Sequence, residues 1–208
     1  MTSKADTTLL QVRTRSHVVA QWLSRVFHPF TISLVVFWLT MYLSGTSALE
    51  SLLWTAVGFF VVIAPLLGVV IYNVRGGRFT DMDVSIREHR YGLYALAFIC
   101  FALLIAILNL YSAPRIALGC LYAAAFAIVV GAVINRAFTK ISLHSVAMAG
   151  CAAVLFFVSP AAGAILSLIA LLVGWSRIHL NRHTPGQVLL GWLVAAVCTA
   201  IMLPIFIS

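Results

Sequence analysis

Residues 91–111 read YGLYALAFICFALLIAILNLY, a run without one charged side chain. A bilayer core about 30 Å thick is crossed by roughly 20 apolar helical residues, so this segment alone has the length and composition of a crossing. Working outward from it, comparable runs occupy 30–49, 51–73, 115–136, 144–159, 161–175 and 188–208. Backbone polar groups in lipid must be satisfied within their own segment, which excludes strands here and leaves helices. The expected fold class is therefore all-α, a polytopic integral membrane bundle of about seven transmembrane helices. The fifth and sixth runs are short and meet at Ser159-Pro160. Proline cannot continue a helix interior without losing a hydrogen bond, so a tight hairpin is expected there. The whole composition agrees: of 208 residues 63% are hydrophobic and 9% charged, with mean hydropathy +1.09, against roughly 25% charged in a soluble domain. Almost nothing is left over for a water-soluble module.

Residues 1–28 form a basic arm ahead of the bundle. No cleavable signal peptide is expected, because the arm lacks an apolar core followed by a small-residue cleavage site. Val18, Val19, Trp22, Leu23, Val26 and Phe27 recur at helical spacing, with Gln21, Ser24, Arg25 and His28 between them. That pattern suits an amphipathic helix lying in the headgroup region; a cytosolic extension of the first span is the alternative. Cys100, Cys120, Cys151 and Cys198 all fall inside predicted spans, as packing residues rather than a disulfide or thiolate metal set.

With seven crossings, the N-terminus and the loops after the second, fourth and sixth spans share one face. Lys4, Arg13, Arg15, Arg25, Arg75, Arg78, Arg87, Arg90, Arg136, Lys140, Arg177 and Arg182 collect on it, together with all six histidines; the opposite face receives only Arg115. By the positive-inside rule the crowded face is expected to be cytoplasmic.

The three loops on that face carry the chemistry-bearing residues. The first ends Arg87-Glu88-His89-Arg90, the second contains Lys140, Ser142 and His144, and the third runs from Trp175 through Ser176, Arg177, His179, Arg182 and His183 to Gln187. Guanidinium forks grip phosphate bidentately, and imidazole serves as nucleophile, acid or base near neutral pH. The pattern reads as an anion site with proton-transfer groups; the plainer reading is a set of anchors for anionic lipid headgroups. Asp81, Asp83 and Glu88 read as loop-solvating or arginine-pairing groups. Thr184-Pro185-Gly186-Gln187 also reads as a helix start, with Thr184 as N-cap and Gln187 closing a capping box.

Ser176-Arg177, five residues, then His183 resembles the third signature of the type 2 phosphatidate phosphatase superfamily, S-R-x5-H-x3-D. Ser142 and His144 resemble its second, P-S-G-H, and the stretch ending at Arg90 resembles a degenerate form of its first, K-x6-R-P. The resemblance spans about residues 81–195 and keeps the motif order. It implies a helical membrane enzyme that hydrolyses phosphate esters through a phosphohistidine, without metal or other cofactor. By position, His183 would attack phosphorus, His144 would protonate the leaving oxygen, and Gln187 would orient His183. Arg177 and Arg90 would hold the phosphate oxygens, with Ser142, Lys140, Ser176 and Arg87 as further phosphate-side groups. Three departures stand out: Gln187 replaces the family's Asp, Asp83 stands where it has Lys, and Ile141 and Leu143 replace the Pro and Gly of the second motif.

The expected function is thus a metal-independent phosphatase acting on a lipid phosphate or isoprenoid diphosphate. The alternative is an inactive relative kept as a structural or lipid-binding subunit of a membrane complex. Expected partners are membrane lipids, the phosphorylated lipid substrate and, on the second reading, other membrane proteins; no nucleic acid is expected. Transport and haem-borne electron transfer fit poorly, since the spans hold almost no ionisable residues and the histidines sit at loop edges.

Overall fold

The computed structural model describes residues 15–207. Lys4 and Arg13 of the basic arm, and Ser208 at the end of the last expected span, lie outside the described residues. Among those described the chain is helical without strands. The helices are α1 (Arg15–Val26), α2 (Pro29–Leu43), α3 (Ala48–Gly58), α4 (Ala64–Arg75), α5 (Arg90–Leu110), α6 (Arg115–Ala137), α7 (Leu143–Val158), α8 (Pro160–His179), α9 (Pro185–Met202) and α10 (Pro204–Ile207).

Five continuous segments are long and apolar enough to cross a membrane: Ala48–Arg75, Arg90–Leu110, Arg115–Ala137, Pro160–His179 and Pro185–Ile207. A sixth arises if α1 and α2, bent by 51°, are counted together, and α7 is apolar but shorter. These long apolar helices are consistent with a multi-pass membrane protein.

Local chemistry explains most boundaries. The first break falls at Ser44–Ser47, earlier than expected from hydropathy, because Gly45 takes φ +93° and the Ser47 hydroxyl accepts from the Glu50 amide at 3.2 Å, capping α3. Helices α3 and α4 are one rod joined through a π-helical turn at Phe59–Ile63. Pro65 follows it, and the wider turn accommodates a ring that cannot donate and crowds the preceding carbonyls. Ser159 is extended and Pro160 opens α8, the hairpin expected from the sequence. Helix α8 is longer than the 161–175 expected: it continues to His179, so Ser176 and Arg177 lie in its last turn rather than in a loop.

Helix α1 turns away from α2 at His28-Pro29 and lies against α8. Ala20 and Ser24 face the bundle, while Val19, Trp22 and Val26 are exposed. Of its polar residues Ser24 is buried, while Arg15, Ser16 and Arg25 are exposed.

Helix α7 is the hub, packed on α2, α8 and α9. Small residues allow that approach, as at other helix contacts in membranes. A Cβ at Gly163 would fall 2.6 Å from the Phe156 backbone; one at Gly191 would fall 2.9 Å from the Ser145 Cβ and 3.0 Å from the Ser142 carbonyl oxygen. The Gly191 approach seats the start of α9 against the start of α7, where Ser142 and His144 lie. Gly191→Val is expected to lower the thermal unfolding midpoint in detergent through an overpacking cost of about 1–3 kcal/mol. An unchanged midpoint would show that the two helices are not in this contact.

Candidate anion site at the loop end of the bundle

The C-terminal end of α1, the loop before α5, the loop before α7 and the loop before α9 meet at one end of the bundle. Two buried guanidinium groups hold them together. Arg90, 2% exposed, donates from Nε to the Val84 carbonyl at 2.7 Å and from Nη1 to the Ile141 carbonyl at 2.8 Å, clipping the first loop to the second. Val84 is held at φ +47°, a costly conformation for a β-branched residue. Arg177, also 2% exposed, donates to the Ser24 hydroxyl at 2.5 Å and to Asp83 Oδ2 at 2.8 Å. Its Nε has no partner among the described residues.

The third loop folds back over Arg177. Asn181 takes the left-handed conformation after α8, and the amides of Arg182 and His183 both donate to the Arg177 carbonyl, at 3.0 and 3.2 Å. His183 is thereby returned to the buried end, 7% exposed. Its Nδ1 lies 3.0 Å from Gln187 Oε1. That oxygen also accepts from the Thr184 amide at 3.3 Å, while Gln187 Nε2 donates to Thr139 Oγ1 at 3.2 Å. The Thr184 amide can only donate, so the atom facing it, and facing His183, is the amide oxygen. His183 must then carry its proton on Nδ1, which leaves a lone pair on Nε2. The capping box around Gln187 is formed as well; capping and orienting His183 are done by the same amide.

His144, in the first turn of α7, is 5% exposed. Its Nε2 lies 3.2 Å from the Ser24 carbonyl, an acceptor only, so the proton sits on Nε2 and Nδ1 is bare. Its ring meets that of His28 edge-on, with centroids 5.3 Å apart.

The remaining sequence-derived candidates divide. Lys140 is half-buried; burial, then Arg90, Arg177 and Arg182, lower its proton affinity. Ser142 is buried as the α7 N-cap, accepting from the Ser145 amide at 3.3 Å. The Ser176 hydroxyl donates to the Val173 carbonyl at 2.7 Å within α8. The Arg87 guanidinium donates to the carbonyls of Asn135 and Arg136, closing the negative end of α6. Arg182 bonds Ser85 and pairs with Asp81 at 3.7 Å, and His179 stacks on Trp175.

Sequence reading missed Ser24 and His28 as members of this cluster and placed Asp83 only generically as an arginine partner. The one signal was Asp83 standing at a position where the resembled motif has a cation. Burial works against the Asp83 charge, but Arg177, then His144 and Arg182, outweigh it and hold its carboxyl below the usual range.

Beneath the cluster an apolar cavity of about 320 Å³ extends into the bundle, bordered by Arg90 and Leu143 at the loop end and by Phe37, Thr40 and Leu104 deeper in. Arg90 is the cluster side chain that lines this cavity. The chain matches no known family model, no curated protein and no solved structure.

Burial, with the charges of Arg90, Arg177 and Lys140 added and the Gln187 bond opposing, lowers His183 to a pKa of about 4 from 6.5. An unfolded chain takes up this proton first, so the contribution is intact above pH 6.5 and is lost as pH falls toward 4. Native stability should drop over that window by roughly 3 kcal/mol from this group. Unfolding midpoints measured from pH 7 to 4 in wild type and His183→Gln should show a shallower decline in the variant.

Proposed function

We propose that the chain is a membrane-embedded, metal-independent phosphatase acting on a lipid phosphate or isoprenoid diphosphate through a phosphohistidine at His183. The observation that carries this reading is the Gln187 amide, which fixes the His183 proton on Nδ1 and leaves Nε2 unprotonated beside buried cations. In this mechanism the Nε2 lone pair forms a bond to phosphorus as the phosphorus–oxygen bond to the lipid breaks. Positive charge appears on the His183 ring and is stabilised by the Gln187 oxygen. The leaving oxygen needs a proton. His144 supplies it from Nδ1 after taking one from the phosphate monoanion, since Nε2 is committed to Ser24. Water then attacks phosphorus, the histidine–phosphorus bond breaks, and His144 Nδ1 takes up the water proton. Arg177, through its unpartnered Nε, and Lys140 neutralise the phosphate oxygens, the main requirement of phosphoryl transfer. Arg90 serves chiefly as a clip, because its donors are engaged by backbone carbonyls. The cavity beneath Arg90 suits an aliphatic or isoprenoid chain.

The same reading has seven crossings. Helices α2 and α7, at 15 and 16 residues, are short for a 30 Å core, and a locally thinned bilayer accommodates them. The loop end then faces the cytoplasm, following the cations.

A second reading, an inactive relative acting as a structural or lipid-binding subunit, is favoured by the Asp83 carboxylate occupying Arg177 and by the uncharged Gln187. Purified protein offered phosphatidate and isoprenoid diphosphates without metal should release phosphate, and His183→Ala should abolish release. No release from wild type, with the protein copurifying in a stoichiometric complex, would establish the second reading. For an active enzyme, Gln187→Glu keeps the capping box and adds a charge beside His183. It should raise kcat, and move the acid limb of the rate profile from near pH 4 upward by about one pH unit or more.

A further inference from the structure

His28, Asp83 and His144 come from three separate places: the turn before α2, the first loop, and the first turn of α7. Each offers one ligand atom, and these atoms lie within 4.8 Å of one another. None of the three is exposed. We propose that they form a binding site for a zinc-class divalent cation, which shares His144 with the proposed phosphohistidine machinery but does not include His183.

The surroundings match a metal's outer shell. Histidine ligands ordinarily donate their other ring N–H to a carbonyl or carboxylate, and His144 does so to the Ser24 carbonyl, leaving Nδ1 bare. A ligating carboxylate is itself held by hydrogen bonds, and Arg177 holds Asp83 by Oδ2 alone. The third ligand, His28, has only a 3.4 Å contact from the Phe30 amide at Nδ1, easily given up if the ring binds through its other nitrogen. Two imidazoles and one carboxylate favour zinc and its first-row neighbours over magnesium or calcium, which prefer oxygen throughout. With bonds of about 2.0–2.1 Å the ligand atoms must draw in to roughly 3.3 Å apart, a side-chain adjustment. Three protein ligands leave a fourth position open.

The consequence for activity rests on the phosphatase reading. A cation bound here takes the Nδ1 lone pair of His144, so zinc should inhibit. The binding itself does not depend on that reading.

The test is equilibrium dialysis of the full chain in detergent, purified without a polyhistidine tag and stripped with chelator, against micromolar zinc with metal analysis. One zinc per chain is expected, with little magnesium. His28→Asn preserves an N-cap for α2, and should weaken zinc binding at least tenfold. Asp83→Asn should do the same, while His183→Ala should bind as wild type does. Circular dichroism of each variant separates lost ligands from lost fold. Less than one zinc per chain, or binding unchanged in folded His28→Asn and Asp83→Asn, would overturn the site. In a phosphatase assay, the activity that His28→Asn retains without metal should resist zinc; zinc that accelerates the wild type would overturn the inhibitory role. Absence of activity in the metal-free protein would count against the phosphatase and leave the binding result standing.

Discussion

Two guanidinium groups that cannot lose their charge are almost wholly withdrawn from water at one end of this bundle. A buried charge costs several kcal/mol unless its hydrogen bonds are made, so the chain around Arg90 and Arg177 is arranged to make them. Arg90 binds the carbonyls of Val84 and Ile141; Arg177 binds Ser24 and Asp83. Between them they engage the end of α1, the first loop and the second loop, and the Arg177 carbonyl anchors the third through His183. The loops have their shapes because these two side chains need acceptors.

That arrangement also sets the protonation pattern. Each buried histidine faces an oxygen whose role is fixed: the Gln187 amide oxygen for His183, the Ser24 carbonyl for His144. Each therefore keeps one nitrogen bare, Nε2 on His183 and Nδ1 on His144. Burial, reinforced by the neighbouring cations, keeps His183 unprotonated across the neutral range. An anion entering this end would complete Arg177, whose Nε has no partner. Asp83, the single carboxylate bonded to Arg177 among the described residues, is the group with which such an anion competes.

Much of this was legible in the chain. Long uncharged runs such as 91–111 have one stable state in lipid, so helices followed directly from composition and length. Proline at 160 and 185, and Thr184 ahead of the last run, marked helix starts that the structure repeats. The spacing of Arg177, His183 and Gln187 was readable because one helix end and the following turn bring those residues together locally.

What the sequence determined by itself was therefore the local part: the helices, their caps, the crowding of cations and histidines toward alternate loops, and the pairing of His183 with Gln187. The tertiary structure decided the rest. That Ser24, His28 and Asp83 join His144 and Arg177 depends on α1 folding back against α8 and on Arg90 clipping two loops. Those contacts join residues separated by up to 153 positions. Sequence periodicity reports which face of a helix is apolar, not which distant loop will satisfy a buried charge. The same limit hid the engagement of Ser176 and Arg87 by backbone carbonyls. A polar side chain in a promising motif has no visible partner until the fold supplies one.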